Sequence, residues 1–232
     1  MMNYPLRSIA YISEMIHPPV NHQASDLQKL HSMAFSDEEC QYQNFQMLPI
    51  GAQMSNPPGR QHTISSCTFL NDRIQVREEM TGISREDYET RLLKLAQLSM
   101  NHLNIPMFIV SQYIIRALVN TRHFQDSREY VARALLDMEP EDFMPLDRNA
   151  EILGLRFALS KPDQKHGLYN IRVESYSQDP RSLFIENVGT YRSMVKVENM
   201  KDLTDNFVRT YMYVENNVVP FLAQFDEGAP EQ

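Results

Sequence analysis

The stretch from Glu151 to Arg192, EILGLRFALSKPDQKHGLYNIRVESYSQDPRSLFIENVGTYR, constrains the fold more than any other part of the chain. Leu153, Leu155, Phe157 and Leu159 alternate with Gly154, Arg156 and Ala158, the period of two expected of a half-buried strand. Ser160-Lys161-Pro162-Asp163 then reads as a turn, because Pro162 fixes φ and has no amide to give to a ladder. A second strand follows, with Tyr169, Ile171 and Val173 on one face and Asn170, Arg172 and Glu174 on the other. Gln178-Asp179-Pro180 turns the chain again, and Leu183 to Glu186 begins a third strand. Connections this short favour antiparallel neighbours, and hence a sheet with one apolar face to cover and one wet, arginine-bearing face.

A fainter copy of the same order precedes it. Arg7 to Ile16 reads as a strand apolar on both faces, ended by Pro18-Pro19. Ser25 is placed to cap a helix with Leu27, Leu30 and Ala34 inward. Strands are predicted over Phe45–Met54 (across Pro49), His62–Leu70 and Arg73–Glu78. Ser84, with Asp87 three residues on, opens a long helix whose stripe is Tyr88, Leu92, Leu95, Ser99 and Leu103. Val110 to Asn120 restarts the pattern, and Asp126 or Ser127 caps a helix bearing Tyr130 and Val131. The three anchor strands follow, then an extended piece from Tyr191 to Val197 and a last helix from near Asn199 through Leu203, Phe207, Tyr211 and Val214.

The expectation is an α+β fold made of a duplicated strand-helix-three-strand-helix unit. The units span 1–108 and 109–225, with a flexible tail over 226–232, and together form one antiparallel sheet with helices packed on one face. Gly51 and Gly154, and His62 and His166, fall at matching places in the two copies.

In its element order the chain resembles a sporadically distributed family of uncharacterised prokaryotic proteins of about this length. SIAYISEMI, REEMTGISREDYETRL, QYIIRALVN and SLFIEN carry the likeness, although Ser111–Ala117 stands where that family has an RIGLRY-type strand. The resemblance implies a fold and no activity. The doubled plan is similar also to the saddle of the TATA-box-binding protein and to tandem small-ligand-binding α+β modules, a likeness of fold alone.

Charge and motifs narrow the function. A net charge of −8 argues against a broad basic surface for nucleic acid. No apolar run approaches the roughly 20 residues of a membrane span, and the start lacks the basic-then-apolar pattern of a secretory signal. Cys40 and Cys67, the only two cysteines, suit a reducing compartment and a cytoplasmic setting. Seven scattered glycines leave no phosphate cradle, and G-x-S-x-G, H-E-x-x-H and Cys–His–Asn patterns are absent. No cofactor or metal is implied: His17 and His22 flank two prolines with no third ligand beside them, which reads as a solvated loop, and Asp137 to Asp142 reads as a solvated acidic loop.

The candidate ligand- or partner-binding residues are Arg73, Arg77, Arg156 and Arg172, all on the outward phase of their strands, with His62 and His166. Guanidinium forks grip carboxylates bidentately, so the leading expectation is a non-enzymatic binding or adaptor protein. It would meet a protein partner, a small acidic ligand or a second copy of itself. Cross-strand ion pairing on a wet surface is the competing reading of the same arginines. The alternative function is an enzyme of unrecognised type with a pocket at the seam between the repeats, using His62 or His166 with Arg156 or Arg172.

Overall fold

A computed structural model describes residues 5–59, 62–161 and 167–226. Among these, nine strands form one antiparallel open sheet, with helices between them: an α+β fold. In chain order the elements are β1 (Arg7–Ile16), α1 (Ala24–Ser36), β2 (Asn44–Leu48), β3 (Gly51–Ser55), β4 (Ile64–Leu70), β5 (Arg73–Glu79) and α2 (Arg85–His102). There follow β6 (Val110–Asn120), α3 (Ser127–Glu129, running into a π-helical turn, Tyr130–Leu135), β7 (Gly154–Ser160), β8 (Leu168–Ser175) and β9 (Ser182–Tyr191). The chain closes with α4 (Lys201–Tyr213), a second π turn (Val214–Val218) and α5 (Val219–Ala223).

The sheet order is β2-β3-β4-β5-β1-β6-β9-β8-β7, so β1 and β6 pair at the centre, Ile12 opposite Ile114. Strand phase decides what each residue meets. Tyr11, Met15, Ile74, Val76, Tyr113, Ile115, Ile171 and Ile185 share one core with Leu27 and Leu30 of α1, Leu92 and Leu95 of α2, Tyr130 beyond α3, and Leu203 and Phe207 of α4. Rings fill the centre of that core: Tyr11, Tyr88 and Phe207 lie 4.9 to 5.6 Å apart by centroid, and Tyr88 Oη donates to Ser13 Oγ at 2.8 Å. Burying aromatic side chains of this size, with a partner for the hydroxyl, is the main attraction holding α2 and α4 to the sheet.

Local signals explain most boundaries. Ser84 Oγ accepts from the Asp87 amide at 3.0 Å at the start of α2, and the Asp126 carboxylate accepts from the Arg128 amide at 2.8 Å before α3. Two expectations are corrected. Phe45–Met54 is a hairpin, not one strand: Pro49 and Ile50 turn the chain, and Gly51 takes φ +151° where a Cβ would run into the Phe69 carbonyl. The cap of α1 is Gln23, without a side-chain bond, so Ser25 lies inside the helix. The third anchor strand begins where expected and runs on to Tyr191, because Asn187, Gly189 and Tyr191 continue its inward phase against α4.

Asp226, placed in the tail by sequence, is 3% exposed; its carboxylate accepts from the amides of Arg122 and His123 at 2.6 and 3.1 Å. Residues 227–232 lie outside the described residues, as do the Pro162-Asp163 turn and His166. No helix of the described residues is long and apolar enough to cross a membrane.

Candidate functional site

The face of the sheet away from the helices carries the candidate arginines, and register turns them into a ladder. Reading along one row, Glu79, Ala10, Arg116, Glu186, Arg172 and Arg156 stand opposite one another on β5, β1, β6, β9, β8 and β7. Arg77 Nε donates to Glu79 at 2.7 Å, and Arg116 reaches Glu79 at 3.2 Å and Glu186 at 2.7 Å. Arg172 continues the chain to Glu186 at 3.4 Å and Glu174 at 3.6 Å. Arg73 stands apart, bonded to Glu14 at 3.1 Å and to its neighbour Asp72 at 2.9 Å. Those bonds hold the Arg73 guanidinium further into its charged form, and Arg73 in turn holds Asp72 below the usual carboxylate range.

Three of the four predicted arginines are therefore already engaged. Glu79 and Glu186 side chains are only 16% and 17% exposed, which makes this a partly desolvated network and not a set of isolated surface pairs. Its polar neighbours satisfy one another too, as Gln112 Nε2 does on Thr190 and Gln53 Nε2 on Thr68.

Arg156 differs. It is exposed, stands directly opposite Arg172, and forms no ion pair among the described residues. Like charges placed opposite on neighbouring strands repel. Arg172 is held in place by its two carboxylates and by the Phe184 ring, 5.1 Å beneath the guanidinium; Tyr176 lies alongside Phe184 at 6.3 Å and 19°. The positive excess of the face thus collects at its β7–β8 end, above an aromatic platform.

His62 does not join it. His62 is exposed, with φ +70°, just before β4. At about 4.8 Å per strand, five strand steps separate β4 from β8, on the order of 24 Å. The seam between β1 and β6 is filled on the helix side by Tyr11, Tyr113, Tyr88 and Phe207, and Ala10, Ile12 and Leu118 close it on the other. A seam pocket lined by His62 and an arginine is thus not formed by the described residues.

His17 corrects the solvated-loop reading. It is 1% exposed, with Nδ1 2.8 Å from the Pro18 carbonyl, and its ring lies 6.0 Å from that of His22, whose Nε2 reaches the Leu70 carbonyl at 3.0 Å. Burial pushes the His17 pKa down. Among the described residues no three His, Cys, Asp or Glu side chains are grouped to hold a metal.

Sequence reasoning missed Arg116, Glu79 and Glu186 as the links of the ladder, and a second polar cluster beneath β5. There the Glu78 carboxylate, 1% exposed, is paired with Arg91 of α2 and accepts from Ser65 Oγ at 2.8 Å, at the floor of a cavity of about 660 Å³. Outward phase marks Glu79 and Glu186 in the sequence as it does the arginines, but only register says which carboxylate meets which guanidinium. No protein-family model matches the chain, and no curated protein matches its sequence.

Proposed function

We propose that this protein is a non-catalytic binding module that docks an acidic surface of a partner protein on the Arg156–Arg172 end of its open sheet face. One observation carries the reading: two arginines stand opposite each other and one of them has no carboxylate among the described residues. A partner carboxylate would relieve that repulsion and gain charge-assisted hydrogen bonds. Phe184 and Tyr176 offer a small apolar platform beside it, so the patch has the make-up of an interface hot spot, arginine with aromatic. The engaged ladder then acts as a rigid, self-neutralised floor and not as the anion site itself.

The same reading includes a doubled ancestry. Pairing of β1 with β6, with β5, β4 and β3 ranked on one side and β9, β8 and β7 on the other, is what two fused copies would produce. Gly51 and Gly154 open β3 and β7, and a Cβ at either would meet the neighbouring strand's backbone. The hairpin strand β2 would be an addition to the first copy. Two free, buried thiols are compatible with a reducing, cytoplasmic setting.

The test uses a fluorescein-labelled hexaglutamate peptide as the minimal acidic probe, followed by anisotropy at low salt. Saturable binding is expected, at least tenfold weaker for Arg156→Gln and absent for Arg156→Glu, with a steep loss as salt rises. Equal binding by the wild type and Arg156→Glu, or no saturable binding at all, overturns the proposal. Light scattering adds the identity of one partner: a doubled mass that Arg156→Glu returns to a single chain would name a second copy of this protein.

A further inference from the structure

On the helix side of the sheet, the same edge holds a cleft of different chemistry. In the first half of the chain the 13-residue α1 lies over the strands that follow it. In the second half α3 and its π turn are short, and they dock elsewhere: Tyr130 Oη donates to the Leu222 carbonyl at 2.7 Å. The inner face of β7 is left with little more than the edge of α5, where Phe157 meets Phe221 at 5.9 Å.

Two cavities of about 440 and 350 Å³ result, and they share Leu159, Tyr213 and Asn217 as walls. Lys161 and Arg209 line the first, along with Ser160 and Asn216. Phe157, Ile171, Val218 and Phe221 line the second. Tyr213 stacks on Tyr169 at 4.4 Å and 25°, and Tyr169 is fixed in turn by a hydroxyl chain through Tyr191 to Thr210. The π turn at Val214–Val218 widens the helix here, as such turns commonly do at functional sites. Carbonyls at its start have donors, since Val214 donates to the Tyr211 carbonyl and Asn187 Nδ2 to the Thr210 carbonyl at 2.9 Å.

Charge says what fits. In a chain of net charge −8, neither cavity is lined by a carboxylate among the described residues. Among the described residues Arg209 bonds only the Asn206 amide oxygen, at 3.3 Å, and neither it nor Lys161 forms an ion pair. At the apolar end, Leu159 and Phe221 are 37% and 40% exposed, a cost that a hydrophobic occupant removes. We infer that this cleft binds a medium-chain carboxylate, its head between Lys161 and Arg209 and its tail along Phe157, Ile171 and Phe221. At about 30 Å³ for a water-sized group, the apolar cavity takes on the order of ten methylenes.

Titration calorimetry with decanoate below its micelle concentration tests this, with decyltrimethylammonium as the same tail bearing the opposite charge. One-to-one saturable binding of decanoate is expected, at least tenfold weaker for the cation. Lys161→Gln combined with Arg209→Gln, both at exposed positions, should weaken decanoate at least tenfold. Asn217→Trp, which fills the shared wall, should abolish it while the far-ultraviolet spectrum stays that of the wild type. Arg156→Glu lies on the other face and should leave decanoate binding unchanged, so this cleft and the acidic docking patch succeed or fail separately. Absence of saturable decanoate binding, equal affinity for the two tails, or indifference to the paired Lys161 and Arg209 substitution would overturn the inference.

Discussion

Replacing Arg91 by Met should destabilise the fold more than any change on the open face. The Glu78 side chain is 1% exposed and its charge is met by Arg91, itself only 18% exposed. Without Arg91 the carboxylate keeps one donor, Ser65 Oγ at 2.8 Å, at the floor of its cavity. Leaving one buried charge uncompensated costs roughly 3–5 kcal/mol, and the partial exposure on the Arg91 side puts this site near about 3 kcal/mol. For a domain of this size that lowers Tm by about 6–12 °C. The double variant Glu78→Leu/Arg91→Met removes the charge with its partner and should return to within about 1 kcal/mol of the wild type. Urea unfolding of the four members of the cycle, followed by circular dichroism at pH 7, gives the coupling. A loss under about 1 kcal/mol for Arg91→Met, or a double variant no better than the single, would refute the reasoning.

Gly189→Ala places a Cβ against the Thr210 hydroxyl and within 3.1 Å of Tyr169, so it should cost about 1–3 kcal/mol and shift the urea midpoint accordingly; an unchanged midpoint contradicts the packing described. Burial depresses the His17 pKa below 6.5, so its contribution to stability is full above that value and is lost as pH falls toward the folded-state pKa. The urea midpoint should therefore drop between pH 7.5 and 5.5, and His17→Gln should flatten that slope; identical slopes would count against a buried neutral His17. Burial pushes the Cys40 thiol up to about 12 and Cys67 well above its usual value, so Ellman's reagent at pH 8 should find no thiol in the folded protein and two in denaturant. Fast reaction of either without unfolding would contradict their placement.

Much of the fold was legible because it rests on period and punctuation. The alternation in Val110–Asn120 and Arg7–Ile16 matches β6 and β1 end to end, and Ser84 with Asp87 opens α2 as their spacing requires. The hairpin at Pro49 was not legible, because Met47 to Met54 keeps a strand-like alternation through the turn and only Gly51 betrays it. Likewise the continuation of β9 past Glu186 is hidden by Asn187 and Gly189, polar or small residues that go inward because Thr210 of α4 lies against them. The site was half legible. Strand phase put Arg73, Arg77, Arg156 and Arg172 on the open face, yet the pairing of Arg116 with Glu79 and Glu186 is a matter of register, which a period of two does not encode. The lysine and arginine of the cleft, Lys161 and Arg209, come together only through packing of α4 on β8.

Backbone hydrogen–deuterium exchange with and without hexaglutamate bears most directly on the acidic docking patch. Added protection should be confined to β7 and β8, residues 154–160 and 168–175, and should vanish in Arg156→Glu. Protection spread over the helices, or placed on the β2–β4 side of the sheet, would contradict the assignment of Arg156 and Arg172 as the docking pair.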